Sequence, residues 1–324
     1  MERSGPLRVA VLDDYQGVAM DMADWSAVTA EIVAFHEPFR DAAVVVDHLL
    51  EFDAIVAMRE RTAFPRDVLT RLPNLRLLVT TGMRNAAIDI ATARELGITV
   101  SGTRGGIAPT AELTWALILG LVRGVAEDDA VVRSGGWQTS VGGDLEGRTL
   151  GVIGLGRIGQ RVASVGRAFG MDVIAWSPNL DADRARKAGA TFVSRSELFD
   201  RSDVATIHLA LGESTRGIID ARDLHRMKPT AILINTARAA LVEQSALHRA
   251  ITEGWFAALG FDVYEEEPLP PDHWLRQEYP DGARILRSPH MGYVTLANYR
   301  TFYGDAVEDI AAYLEGRPIR VLTV

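Results

Sequence analysis

The sequence predicts an α/β fold of doubly wound parallel sheets arranged in two domains. Three observations predict it. Short apolar runs alternate with stretches of helical spacing, the order that builds parallel sheets with helices on both faces. The alternation comes in two blocks, one opening near Arg8 and one at Thr149, with a long apolar segment between them. The length, 324 residues, suits two domains of about 150 residues each.

In the first block the expected strands are 8–12, 29–35, 54–58, 75–80 and 98–101. Helical stretches fall between them at 41–50, 65–71 and 88–96. Pro65 stands where a helix tolerates proline, at its start, and Gly97 stands where a helix C-cap favours glycine. One long helix is expected next, over 110–133, with Thr110 as N-cap and Glu112 in the first turn. Its first half is apolar on every face: Leu113, Trp115, Leu117, Ile118, Leu119, Leu121 and Val122. Such a helix has to be buried, either in a core between the domains or against a second subunit. In the second block the expected strands are 149–153, 172–176, 204–209, 231–235 and 257–262. The helices between them are 158–169, 182–188, 196–200, 221–227 and 244–252. An acidic, proline-rich loop (265–274), a short strand near Ile285 and a helix over 296–314 close the chain.

Composition excludes several classes. An apolar fraction of 48% and a charged fraction of 24% rule out intrinsic disorder. With no cysteine there is no disulfide, thiolate metal site or cysteine nucleophile. The longest apolar run, 113–122, falls short of the roughly twenty residues of a membrane span. The first residues lack the apolar core of a signal peptide, so a soluble cytoplasmic protein is expected. Of 34 basic residues only Lys187 and Lys228 are lysines; the arginines are scattered and the net charge is −9. A nucleic-acid footprint needs a basic patch, and none is visible. No His, Asp or Glu cluster has metal-ligand spacing, so no metal is expected.

The first chemical signal is Gly154-Leu155-Gly156-Arg157-Ile158-Gly159, lying between an expected strand and an expected helix. Roughly 0.2 chance matches to the glycine spacing are expected in a chain of this composition, so the context carries the weight. Glycines let backbone approach a pyrophosphate, and the helix start offers free N–H groups. Gly154, Gly156, Arg157, Ile158 and Gly159 are therefore candidate cofactor residues in a Rossmann-like domain. An NAD site places an acid at the end of the next strand, for the ribose 2′-OH. Here that strand ends at Trp176, followed by Ser177, Pro178 and Asn179. With no acid, and no arginine nearer than Arg184 and Arg186, weak discrimination between NAD(H) and NADP(H) is expected. Ser177 and Asn179 would serve either one.

The glycine motif in mid-chain is followed by three further blocks. INTARAALVEQSAL (234–247), GFDVYEEEPLP (260–270) and SPHMGYVT (288–295) carry, in order, Arg238, Glu267 and His290. Together the four blocks resemble the D-isomer-specific 2-hydroxyacid dehydrogenases, the family of phosphoglycerate, glyoxylate/hydroxypyruvate and D-lactate dehydrogenases. The resemblance implies two Rossmann-like domains. A flavodoxin-like substrate domain (1–103 and 292–324) would receive a nucleotide domain (104–291) as an insertion, with the active site in the cleft. It implies catalytic roles for Arg238, Glu267 and His290, and cofactor contacts from His208, Thr215, Thr236, Ala237, Asp262 and Gly292. It also implies that backbone N–H groups of Gly82, Met83 and Arg84 hold the substrate carboxylate. Arg59, with Arg61 in the same stretch, would meet a charged substrate tail, and Tyr293 would line the substrate pocket.

Elementary chemistry agrees with the three catalytic assignments. Reduction of a 2-keto acid needs a cation for the carboxylate, a proton donor for the carbonyl oxygen and a hydride source. Arginine grips a carboxylate with a planar fork, histidine exchanges protons near neutral pH, and a carboxylate can orient an imidazole. Three departures from the family pattern stand out: Ala239 and Tyr293 at positions where glycine is usual, and Ala210 where proline is common. If Ala239 needs φ > 0, its backbone is strained by about 1 kcal/mol. The expected protein is a homodimeric NAD(P)-dependent dehydrogenase of small 2-keto and D-2-hydroxy acids. The alternative is a dinucleotide-sensing binding protein of the same fold. Formate dehydrogenase fits less well, because its histidine partner is glutamine and Glu267 is not.

Overall fold

The computed structural model describes residues 6–279 and 282–323. Its contacts divide the chain into two compact units, Met1–Gly106 with Thr295–Val324, and Ile107–Val294. Both are layered α/β structures built on a parallel sheet.

The first unit holds strands β1 (Leu7–Val11), β2 (Ala30–Ala34), β3 (Ala54–Ala57), β4 (Leu77–Thr80) and β5 (Thr99–Gly102), ordered β2-β1-β3-β4-β5. Every pairing is parallel. Strands β3 (AIVA) and β4 (LLVT) are buried at all four positions, so both faces of the sheet must be covered. Helices α1 (Ala19–Met22), α2 (Ala42–Leu49), α3 (Arg66–Leu69) and α4 (Ile90–Glu95) belong to this unit. The one-turn α1 has no counterpart in the sequence reading; it is held by Asp14, whose carboxylate accepts from Val18 and Ala19 N–H. Asp41 and Asp89 cap α2 and α4, and Gly97, at φ +75°, ends α4 as expected.

The second unit begins with α5 (Ala108–Arg123) and α6 (Val125–Arg133). The single helix expected over 110–133 is thus two, because Gly124 adopts φ +64° and interrupts it. Nor does Thr110 cap it. The helix opens at Ala108 with Pro109 in its first turn, and no acid lies in that turn. One side of α5 is buried in its own unit, while Leu113, Leu119 and Val122 are only partly buried. Trp115, Leu117, Ile118 and Leu121 pack within their own unit against β6 (Thr149–Ile153), α7 (Arg157–Ala168) and the strands beyond.

The remaining elements are β7 (Asp172–Trp176), α8 (Ala182–Lys187), β8 (Thr191–Phe192), α9 (Arg195–Arg201), β9 (Val204–Ile207) and α10 (Ala221–Arg226). They continue with β10 (Ile232–Asn235), α11 (Gln244–Thr252), β11 (Ala258–Phe261) and β12 (Arg284–Arg287). The sheet runs β12-β11-β10-β9-β6-β7-β8, again wholly parallel. The chain starts in its interior at β6 and winds outward both ways, so a switch point opens between β6 and β9. The two-residue edge strand β8 is too short to have left a pattern in the sequence.

The chain then returns to the first unit with α12 (Leu296–Leu314), which packs on α1 and β4. Its inner face carries an acidic cluster. Asp305 accepts from Arg104, and Arg320 donates to Asp309 Oδ1 at 3.0 Å and to Glu308 at 2.9 Å. Asp309 is fully buried, and its Oδ2 has no partner among the described residues. Burial pushes its carboxyl up to about 7, against the pull of Arg320. At Asp309 the folded state therefore holds a proton that the unfolded state releases near pH 4, and the contribution of this residue to stability falls as pH rises from about 4 to 7. Asp309→Asn should flatten that fall and raise the melting temperature at pH 8 by roughly 2–6 °C, read by calorimetry across the pH range.

Candidate active site

All strands of the second unit point the same way, so the loops after β6, β7, β9, β10, β11 and β12 leave one edge of the sheet. The glycine motif sits after β6. Gly154 has φ +97°, and a Cβ there would stand 2.7 Å from the carbonyl carbon of His208. A Cβ on Gly159 would stand 2.1 Å from the Gly154 oxygen, so that glycine permits α7 to meet the turn. Gly156 differs: a Cβ would meet nothing within 4 Å. The first and third glycines serve packing, and the second leaves open ground at the start of α7. No side chain caps that helix, so its first N–H groups, from Arg157 and Ile158 on, face this ground. The exposed Arg157 side chain makes no hydrogen bond or ion pair among the described residues. These groups fit a dinucleotide pyrophosphate: glycine backbone, free helix N–H groups and one cation.

Beyond β7, Ser177 and Asn179 lie in the turn leading to α8. Arg184 of α8 donates to the Asn179 carbonyl at 2.7 Å. His208 follows β9; its Nε2 meets Thr206 Oγ1 at 2.9 Å, and burial pulls its pKa down to about 3. It is a neutral imidazole throughout the physiological range.

Several expected cofactor residues have their polar groups engaged inside the protein. The Thr215 hydroxyl donates to the Ala210 carbonyl and accepts from Gly212 N–H, closing its own loop. The Thr236 hydroxyl pairs with Thr114 of α5 at 2.8 Å, and Ala237 N–H donates to Asn235 Oδ1. Asp262, fully buried, accepts from Met291 N–H at 2.7 Å and Gly292 N–H at 2.9 Å. Burial pushes its carboxyl above the usual carboxylate range, against the pull of Ser288 and those N–H groups. The Gly292 carbonyl accepts from Thr110, and a Cβ at Gly292 would stand 3.0 Å from Asp262 Oδ2. In the structure these groups build the scaffold of the edge.

That scaffold positions the three expected catalytic side chains. His290 leaves β12 at φ +55°, a conformation non-glycine residues rarely adopt, held between the Ser288 carbonyl and the Asp262 anchor of the next two residues. Its Nδ1 lies 2.5 Å from Glu267 Oε2. Glu267 Oε1 accepts from Tyr264 N–H at 2.9 Å, and Tyr264 donates its hydroxyl to the Ser288 carbonyl. Tyr293 packs edge-on to His290, ring centroids 5.4 Å apart, and is nearly buried. Arg238 follows β10, half-buried, with Nη1 on the Ala237 carbonyl at 2.7 Å. Ala239 begins a short 3₁₀ turn without a positive φ, so the strain conditional on that conformation does not arise.

In the first unit, Arg59 follows β3 at φ +54° and donates to the Thr81 carbonyl. Its guanidinium covers Gly82, where a Cβ would stand 2.0 Å from Nη1. Of the three N–H groups expected to hold a carboxylate, that of Gly82 donates to Thr103 Oγ1 at 2.8 Å. The N–H groups of Met83 and Arg84, both exposed, donate to no acceptor among the described residues. Sequence reasoning took Thr110 for a helix cap and passed over Thr114; their hydroxyls tie α5 to the edge. Two threonines four apart on an otherwise apolar helix were the available signal. Among the described residues no three His, Asp or Glu side chains are grouped to hold a metal, and no helix is long and apolar enough to cross a membrane.

A doubly wound sheet with this glycine turn beside its switch point defines a dinucleotide-binding protein. Comparison with known proteins makes the class particular. Residues 115–292 match the family model of the D-isomer specific 2-hydroxyacid dehydrogenase, NAD binding domain. The chain is 39% identical over 261 residues to a glyoxylate reductase of Aeropyrum pernix, covering 78% of this chain and 77% of that one. It is 31% identical over 283 residues to a D-3-phosphoglycerate dehydrogenase of Bacillus subtilis, covering 86% of this chain and 53% of that one. A phosphoglycerate oxidoreductase from Vibrio cholerae superposes with a TM-score of 0.90 at 34% identity, over 96% of this chain and 99% of that one. The chain belongs to the D-isomer-specific 2-hydroxyacid dehydrogenases. It is an enzyme that exchanges hydride between a nicotinamide dinucleotide and 2-keto or 2-hydroxy acids, and the sensing alternative is not favoured.

The glycines separate binding from stability. Gly156→Ala should leave the melting temperature within about 2 °C while weakening dinucleotide binding at least roughly tenfold, because the added methyl enters only the open ground. Gly159→Ala should lower the melting temperature as well, because its methyl strikes the Gly154 carbonyl. Calorimetry of unfolding and of NADH binding on both variants checks the contrast.

Proposed function

We propose that the chain reduces small 2-keto acids of the glyoxylate and hydroxypyruvate kind to D-2-hydroxy acids, with Arg238, Glu267 and His290 as its catalytic groups. The observation that carries the proposal is the Glu267–His290 pair at 2.5 Å, with the other Glu267 oxygen held by backbone. With Nδ1 engaged by the carboxylate, Nε2 is the ring nitrogen that gives its proton to the substrate oxygen and takes it back in the reverse direction. Glu267 stabilises the charged imidazole and keeps its plane fixed. Arg238 grips the substrate carboxylate and polarises the adjacent carbonyl. The bound cofactor supplies the hydride.

The relatives' names support this substrate class, and so does Tyr293. Its ring occupies space against His290 that glycine would leave empty, which favours a short substrate side chain. Met83 and Arg84 N–H are the proposed carboxylate donors of the first unit, and Arg59 the cation for a charged tail. His290→Ala and Arg238→Ala should each lower kcat at least about 100-fold, the scale of losing a general acid or an electrostatic contact. Steady-state rates on a panel of 2-keto acids with NADH and with NADPH measure this. Wild-type kcat in His290→Ala would sink the acid–base assignment.

We also propose a cytoplasmic homodimer. The surface that supports association is the partly buried Leu113, Leu119 and Val122 of α5 with Val125 and Val132 of α6, Trp137 and Val141, the last two 73% and 100% exposed. Light scattering at micromolar concentration should give twice the chain mass; a monomer would remove the proposal.

A further inference from the structure

We propose that Arg184 and Ser177 bind the 2′-phosphate of NADP(H), and that this chain prefers NADP(H) to NAD(H). The proposal rests on the dehydrogenase reading above and specifies its cofactor.

The turn after β7 carries the argument. An NAD site needs a carboxylate at the end of this strand to accept from the ribose 2′-OH. Here the strand ends at Trp176 and the next residue is Ser177, half-buried, whose hydroxyl makes no hydrogen bond among the described residues. In the sequence Arg184 stands seven residues further on and looks remote. Folding removes that distance. Leu180 N–H donates to the Ser177 carbonyl at 3.1 Å, which reverses the chain. Asp181 then caps α8 by accepting from Arg184 N–H at 2.8 Å. The Arg184 side chain is thereby carried back over the turn, where it donates to the Asn179 carbonyl at 2.7 Å. One of its five donors is used there, and the planar fork keeps the others for an anion.

The local charges favour an anionic guest. The acids in this stretch are Asp181 and Asp183. Asp181 is turned to the α8 backbone, and Asp183 pairs with Arg186 at 2.8 Å. Neither directly follows β7, where an NAD site keeps the carboxylate that would repel a phosphate. Arg157, at the start of α7, adds a second cation to the same carboxyl edge. A phosphate monoester offers charge and several acceptor oxygens to a guanidinium and a hydroxyl, whereas a ribose 2′-OH offers one neutral group.

The test is isothermal titration calorimetry of the purified protein with NADPH, NADH and 2′,5′-ADP. Wild type should bind NADPH at least roughly tenfold more tightly than NADH, and should bind 2′,5′-ADP. Arg184→Ala should weaken NADPH and 2′,5′-ADP binding by about tenfold or more while the affinity for NADH moves less than about threefold. Arg184→Lys should restore part of the loss, and Ser177→Asp should invert the preference. Equal losses for NADPH and NADH in Arg184→Ala would assign the residue to the turn alone and overturn the proposal. A wild-type preference for NADH, with 2-keto acid reduction intact, would overturn it while leaving the proposed function standing. Failure to bind either dinucleotide would overturn both.

Discussion

A parallel strand with both faces buried has no polar side to turn to water, and this constraint organises both units. Runs such as AIVA in β3 and ILIN in β10 are buried at every position, so both faces must be covered, and most strands are followed by a helix before the next strand begins. Repetition of that step points every strand the same way. The loops that leave the carboxyl ends then collect on one edge of each sheet, together with the backbone groups that no strand satisfies. Polar chemistry has only that edge to occupy, and the glycine turn, Arg238, Glu267 and His290 all occur there in the second unit.

Holding side chains on such an edge is a matter of satisfying backbone. Asp262 shows how. It contributes two buried carboxylate oxygens and receives two N–H groups from residues 29 and 30 positions later, which fixes the exit of the chain from β12. His290 takes up a left-handed conformation within that grip, and Arg59 of the first unit does the same after β3. Strain of this kind costs on the order of 1–3 kcal/mol and persists only where neighbours over-determine it. Thr114, Thr236 and Gly292 belong to the same framework.

Much of the fold was legible because its signals are local. Strands of four or five apolar residues, the glycine spacing and the cap Gly97 each act within a few positions. The α5–α6 break was not legible, since a glycine inside an apolar helix pattern also occurs at Gly120, where the helix continues. The site was legible in its residue types and order and illegible in its division of labour. Whether a hydroxyl or carboxylate faces a ligand or its own backbone depends on pairs far apart in the chain: Thr114 with Thr236, Asp262 with Gly292, Gly82 with Thr103. Arg184 is the reverse case, a residue that seemed too distant until a capped turn folded it back.

The Glu267 carboxylate is fastened at one oxygen by a backbone N–H and at the other by an imidazole. It has no spare rotation, and neither does the ring it holds. On the reading proposed above, the histidine therefore presents the same nitrogen at the same angle whether it carries one proton or two. Nothing in that arrangement distinguishes reduction from oxidation. A site so built is a two-way valve without a spring: the ratio of oxidised to reduced dinucleotide around it, rather than the protein, decides which way hydride flows.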